Sequence, residues 1–335
     1  MKKSLNLIVL FCILIFTSCQ GNGKKYYFDE GPVFGTFYHI VYEHTGDKNL
    51  HEDIMAKLSE FDLSLSTYKP QSVISRVNNN DTSVVLDHYF LTTFKRGQEI
   101  SRITDGAFDM TVAPLVNAWG FGFKNKLDPE MIPVDSLLEI VGYTKVRLKG
   151  GKVVKDDPRI MFDASAIAKG YGVDVVADLL ELHGITNYMI EIGGEIRAKG
   201  KNDKGRIWRV GIDKPIDDPS TMSREIQDVI QMENGALATS GNYRQFYIKD
   251  GKKYAHTIDP RLGYPVQHSL LSASVFAPDC ISADAYATSF MVLGLEKSIE
   301  LVEKDSVLKA YFIYTDSLGN YKTYVSERLK ESIIK

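Results

Sequence analysis

Apolar side chains recur at Leu50, Ile54, Leu58, Phe61 and Leu65, three to four residues apart, as in an amphipathic helix lying on a sheet. Just before them, residues 36–42 (Thr-Phe-Tyr-His-Ile-Val-Tyr) are aromatic and β-branched and read as a first strand. Pro70 ends the helix, and Ser72 is placed to cap a short new one. Residues 88–103 read as a second long helix, closed by a turn on Asp105-Gly106. Residues 111–122 mix aromatics, glycines and one proline, fit neither period, and read as a packed irregular loop. A short capped helix over 135–142 and a hairpin of 145–148 with 152–154, turning at Gly150-Gly151, follow.

The run Ile160-Met161-Phe162 reads as a strand end. It meets an acid, three small residues, a lysine and two glycines, and a helix is expected over 166–183 with Gly184 to stop it. Residues 187–195 form a buried strand running into Gly193-Gly194-Glu195. Strands at 207–212, 226–232 and 246–248 are expected to continue the sheet, and Asp250-Gly251 turns the last of these back along 254–258. A tight turn at 259–263, a strand at 270–277, a helix capped by Ser282 through Leu293, another helix at 296–303 and a last hairpin (310–315, 321–325) complete the chain. Strands and helices are interspersed without regular βαβ order. The fold class is therefore α+β, a mostly antiparallel or mixed sheet with packed helices.

The N-terminus changes the picture of location. Lys2 and Lys3 precede an apolar run over 5–16 that is too short to span a bilayer, and Thr17-Ser18 puts small residues before Cys19. This is similar to a bacterial lipoprotein signal covering 1–18, with Cys19 as the lipidated residue; simple secretion is the alternative. Residues 19–30 then read as a tether, and residues 31–335 as one unit. Cys12 leaves with the signal and Cys19 takes the lipid, so Cys280 alone is left and no disulfide forms within the mature chain. With 40 basic and 43 acidic residues and no basic run beyond pairs, nucleic acid is not an expected partner.

Four polar patches carry candidate chemistry. Asp163, the small residues after it and Lys169 sit where a helix begins, which suits either an anion or an ordinary turn capped by Asp163. Asp284 and Thr288 lie four apart on one helix face, a partial shell for Mg²⁺, although an acid near a helix start also favours the macrodipole without any metal. Tyr68 sits at the Pro70 break, facing a cleft or covering the core edge. Thr239-Ser-Gly-Asn-Tyr-Arg244 and His256-Thr-Ile-Asp-Pro-Arg261 are polar turns ending strands. Together these patches offer a carboxylate-hydroxyl pair, a glycine-relaxed helix start, a histidine and aromatic walls, as a nucleotide-phosphate site requires.

The ordered motifs Gly35-Thr36, Ser66-Thr-Tyr68 with Ser72-Val-Ile-Ser75, Asp105-Gly-Ala-Phe-Asp109, Pro114-Leu-Val-Asn-Ala-Trp-Gly120, Ala166-Ile-Ala-Lys-Gly-Tyr-Gly-Val-Asp174, Ile192-Gly-Gly-Glu195, Thr239-Ser-Gly-Asn-Tyr243, His256-Thr-Ile-Asp-Pro260 and Ala283-Asp284 through Thr288 resemble the ApbE-type FAD:protein FMN transferases. The resemblance implies an FAD site in a cleft between two lobes. It also implies Mg²⁺ held by the Ala166 carbonyl, Asp284 and Thr288, and flavin-nucleotide contacts from Phe34, Tyr68, Ala107, Phe108, Asp109, Asp163, Lys169 and Ile258. Many members carry Met where this chain has Phe34. The implied reaction is attack of an acceptor-protein Ser or Thr hydroxyl on the FMN-side phosphorus of FAD, releasing AMP, with Asp284 and His256 as the catalytic candidates. Family acceptors carry an Asp-x-x-Ser/Thr-x-Ala-Ser/Thr motif that this chain lacks, so the acceptor is another protein, expected to be a membrane electron-transfer subunit facing the periplasm. The rival readings are an Mg²⁺-dependent FAD pyrophosphatase and a flavin-binding lipoprotein without chemistry.

Overall fold

A two-residue turn near the N-terminus starts the central sheet. In the computed structural model, which describes residues 24–46, 48–122, 127–215, 225–242, 246–249 and 252–334, strand β1 (Lys25–Val33) pairs antiparallel with β2 (Thr36–His44). The chain turns at Phe34 and Gly35, both in the left-handed region. β1 therefore occupies part of the stretch expected to be a tether. It is a charged, glycine- and proline-bearing edge strand (KYYFDEGPV), and such edge features mask the alternation of a strand in sequence. The signal segment and Cys19 lie outside the described residues.

Helices α1 (His51–Leu65), α2 (Val73–Asn78) and α3 (His88–Ile103) stand where the periodicity puts them. Ser72 caps α2 by accepting from the Ser75 amide at 3.1 Å. The stretch read as an irregular loop contains α4 (Ala113–Ala118), with Pro114 in its first turn, where a missing N–H costs nothing. Next, α5 (Val134–Leu138) begins after Pro133 without a side-chain cap, and β3 (Val146–Lys149) and β4 (Lys152–Lys155) form the expected hairpin across Gly150-Gly151. Residues 160–162 form only a single parallel bridge, Met161 to Val112.

Helix α6 (Ala168–Leu182) starts two residues later than its pattern suggests, with Ile167 at the cap position and no side-chain cap bond. Asp163 instead accepts from the Ser165 amide at 2.7 Å, closing its own local turn. Beyond α6, β5 (Tyr188–Ile192) turns at Gly193-Gly194 into β6 (Glu195–Lys199), so the strand expected over 187–195 ends at the glycines and β6 is an additional one. Then come β7 (Trp208–Asp213), β8 (Ile226–Met232) and β9 (Asn234–Gly241). Among the described residues β10 (Phe246–Lys249) and β11 (Lys252–Ala255) form a separate two-stranded sheet, and β12 (Leu270–Ala277) follows.

Helix α7 (Cys280–Leu293) is capped by Asp279, whose side chain accepts from the Ser282 amide, and not by Ser282 itself. The chain ends with α8 (Leu295–Lys304), β13 (Lys309–Thr315), β14 (Tyr321–Val325), α9 (Glu327–Lys330) and β15 (Ile333–Ile334). Among the described residues no helix is long and apolar enough to cross a membrane.

An eight-stranded antiparallel sheet, ordered β1-β2-β5-β6-β9-β12-β13-β14, is the backbone of the fold. The period-2 alternation splits each central strand between two cores. Ile190, Ala273, Val275 and Phe312 join the helical side with α1, α6 and α7. Met189, Phe276, Tyr311 and Ile313 face a smaller sheet, β15-β8-β7, which contributes Trp208, Val210, Ile230 and Met232. Strands β7 and β8 are thus a second layer and do not extend the first. β9 reads NGALATSG, poor in strand formers. Its small side chains let it pass between β6 and β12 while α7 packs against it. A third core joins Leu115, Trp119 and Val134 to Ile258.

Candidate functional site

The site is built where α6 meets α7. Nearly every side chain of α7 is buried, as expected for a helix that is apolar all round. Asp284, 3% exposed, stands out in it, because a buried carboxylate needs partners. The contact is possible because residue 170 is glycine: a Cβ there would lie 2.2 Å from the Cys280 carbonyl oxygen and 2.7 Å from Asp284 Cβ. The Gly170 amide donates to Asp284 Oδ2 at 2.9 Å. In a helix running on through residue 166 that amide would bond the Ala166 carbonyl. Among the described residues no donor reaches the Ala166 carbonyl, so the joint presents a backbone oxygen beside a carboxylate. Thr288 is one turn beyond Asp284, half-buried, and its Oγ1 lies 3.2 Å from Ser240 Oγ on β9.

Two ion pairs fix this joint. Asp174, farther along α6, accepts from the Cys280 and Ile281 amides at 2.9 and 2.8 Å and from Arg197 Nη1 at 2.7 Å, so it holds the start of α7 in place. Lys169 Nζ meets Glu195 Oε1 at 2.5 Å, across the Gly193-Gly194 turn. Burial alone would lower the lysine's pKa, yet the Glu195 and Asp284 carboxylates outweigh it and hold Lys169 charged. Burial pushes the carboxyls of Asp284 and Glu195 up, opposed by Lys169. Cys280, buried and free, sits at the same junction with its thiol pushed well up by burial.

The remaining candidates are tied to this joint from both sides. The Asp163 amide donates to the Met110 carbonyl at 2.7 Å, and Asn78 brackets Phe162 by donating to its carbonyl and accepting from its amide. The 107–109 stretch is thereby set beside Asp163. Ala107 and Phe108 are buried, and their amides donate to the Thr104 carbonyl at 3.1 Å and to Thr104 Oγ1 at 3.2 Å. Asp109 spends its carboxylate on the amide and hydroxyl of Thr111 and on the Tyr143 amide, and burial raises its pKa; it shapes the loop. Phe34 is half-buried, 5.5 Å from the Phe61 ring and packed over Gly172. Tyr68 is 74% exposed, so it faces outward and does not cover a core edge.

Ile258 is buried in the third core, and the half-buried His256 lies near Phe121, ring centroids 6.4 Å apart. The neighbouring Thr257 donates to Asn242 at the end of β9, the strand whose Ser240 meets Thr288. Residues 243–245 lie outside the described residues.

Gly170, Asp174 and Glu195 stand inside the sequence motifs without a role that the motifs disclose, and Asn78 and Arg197 lie outside the four polar patches. Two signals were available: a Gly-Gly turn delivering an acid directly into a strand, and an acid recurring along α6 beyond its first turn.

The donor set fits a hard divalent cation. It comprises one buried carboxylate, one hydroxyl and one backbone carbonyl without a donor, and it leaves coordination positions for water and phosphate. An antiparallel α+β domain that buries such a set beside a lysine is suited to a phosphate-bearing substrate. This chain belongs to the ApbE family, which matches it over residues 34–312. It is 37% identical to the FAD:protein FMN transferase of Vibrio cholerae, covering 98% of this chain and 99% of that one, and 38% identical to that of Haemophilus influenzae, covering 95% of each. Among solved structures it is similar to the flavin transferase ApbE from Vibrio cholerae (TM-score 0.81, 36% identity, 92% of this chain and 100% of that one). It is also similar to the apo flavinyl transferase ApbE of Pseudomonas stutzeri (TM-score 0.81, 30% identity, covering 92% and 97%).

Proposed function

We infer that this protein transfers FMN from FAD to a Ser or Thr hydroxyl of an acceptor protein, with release of AMP. The observation that carries the reading is the buried Asp284 carboxylate, set by the Gly170 amide beside the Ala166 carbonyl and Thr288. In this reading those three groups hold Mg²⁺, which when bound neutralises pyrophosphate charge. Lys169 and the 107–109 loop receive the flavin nucleotide, together with Phe34, Tyr68, Asp163 and Ile258. The acceptor hydroxyl oxygen bonds the FMN-side phosphorus as the pyrophosphate P–O bond breaks and AMP departs with its phosphate. His256 takes the hydroxyl proton, a role an imidazole can fill near neutral pH.

Location is part of the proposal. Lys2, Lys3, the apolar run and Thr17-Ser18-Cys19 support a lipid anchor on Cys19 in a bacterial membrane, with the domain facing the periplasm. The acceptor would then be a membrane electron-transfer subunit. The decisive experiment incubates the protein with FAD, Mg²⁺ and a flavin-acceptor domain. Flavin fluorescence on the denatured acceptor with stoichiometric AMP is expected. AMP without bound flavin would instead mean FAD pyrophosphatase, and tight FAD binding without AMP a flavin-binding protein.

A further inference from the structure

The ion pair of Lys169 with Glu195 answers a conflict built into the joint. Lys169 directly precedes Gly170, whose amide is bound by Asp284, so the lysine is rooted next to the carboxylate proposed to hold the cation. Both Asp284 and Glu195 attract its ammonium. The fold resolves this competition in favour of Glu195: Nζ lies 2.5 Å from Glu195 Oε1. The lysine stem is guided there across Gly193, where a Cβ would stand 3.4 Å from Lys169 Cδ and 2.9 Å from Thr36 Cγ2. Gly193 has φ +63°, so glycine is favoured for conformation as well as for space.

Glu195 is 3% exposed and its second oxygen, Oε2, is buried with no hydrogen-bond partner among the described residues. A buried anionic oxygen in that state is costly unless positive charge or a polarised water reaches it.

We propose that Glu195 is a positioning residue: it holds the Lys169 ammonium away from Asp284, keeping that carboxylate available to a divalent cation. This rests on the assignment of Asp284 as the cation's ligand. Losing Glu195 lets Lys169 collapse onto Asp284 and fill the cation's place with its own charge. Losing Lys169 has the opposite effect, because both carboxylates then face the cation alone. A salt bridge serving only stability would not separate the two variants in this way.

The test is a titration of the full chain with Mn²⁺ alone, read by the electron paramagnetic resonance signal of the free ion. Glu195→Gln is expected to weaken Mn²⁺ binding about tenfold or more, the range typical when a group supporting a metal ligand is removed. Lys169→Met is expected to bind Mn²⁺ at least as tightly as the wild type, and the double variant to bind more tightly than Glu195→Gln. Wild-type affinity in Glu195→Gln, or Lys169→Met binding more weakly than wild type, overturns the proposal. The Lys169→Met arm decides it even where Glu195→Gln does not fold. Asp284→Ala is expected to abolish Mn²⁺ binding, and wild-type affinity in that variant would overturn the cation assignment itself, an outcome distinct from failure of the Glu195 role.

Discussion

The Gly170 amide donates to Asp284 Oδ2 at 2.9 Å across a helix crossing so close that any Cβ on residue 170 would overlap the Cys280 carbonyl oxygen. One glycine thus sets both the packing of α6 on α7 and the orientation of the carboxylate. Gly170→Ala must push the helices apart, because the obstacle is backbone and cannot rotate away. The expected cost is about 1–3 kcal/mol of stability, the usual range for overpacking a core, measured by urea denaturation. Flavin transfer should fall further than stability accounts for. A variant with wild-type midpoint and wild-type transfer would show that the close crossing is not required.

Asp284→Ala removes the charged member of the cation set. FAD-dependent transfer is expected to fall about 1,000-fold or more, the scale on which a metal's several kcal/mol of charge stabilisation acts. Binding of FAD, followed by quenching of flavin fluorescence, should change much less. Full turnover in this variant would remove Asp284 from the metal role.

The pattern of the chain carried most of the helical side. α1, α3 and β12 have the bounds or near-bounds that periodicity gives, because each buries one regular stripe or face. β6 and β9 did not show, since their places in the sheet are decided by what packs on them and not by their own propensity. The start of α7 was misplaced because Asp279 and Ser282 are both good caps in sequence, and only the structure shows Asp279 accepting the amide. For the site, Asp284, Thr288 and Lys169 were legible as residue types at suggestive spacings. Asp163 was legible as a polar residue at the helix joint, and of its two readings only the helix cap is excluded, because its carboxylate accepts from the Ser165 amide. Glu195 and Asp174 stayed hidden because their roles are long-range: their partners lie 26 residues away at Lys169 and 106 away at Cys280.

His256→Ala separates proton transfer from binding. If the imidazole takes the acceptor's proton, kcat should drop about 100-fold or more, the usual contribution of general base catalysis, with little change in the KM for FAD. A rise in KM at unchanged kcat would assign His256 to binding.

Asp174 offers a test by pH of what fixes α7. Burial pushes its carboxyl up to about 6, against the opposing pull of Arg197 and the Cys280 and Ile281 amides. In the unfolded chain the same carboxyl titrates near its ordinary value of 3.8. Between those values the folded state holds more protons than the unfolded state, so stability falls as pH rises. The contribution is fully present below about pH 4 and is lost as pH passes 6, amounting to on the order of 2–3 kcal/mol. Asp174→Asn cannot titrate. It also faces the Ile281 amide with a donor and leaves Arg197 without its closest carboxylate, so the variant is expected to be less stable overall. The discriminating quantity is the slope. Urea midpoints taken from pH 4 to pH 7.5 should decline more steeply in the wild type than in Asp174→Asn, the difference between them shrinking as pH rises. Parallel curves would mean that Asp174 is ionised throughout that range, and that its three hydrogen bonds fully offset the cost of its burial.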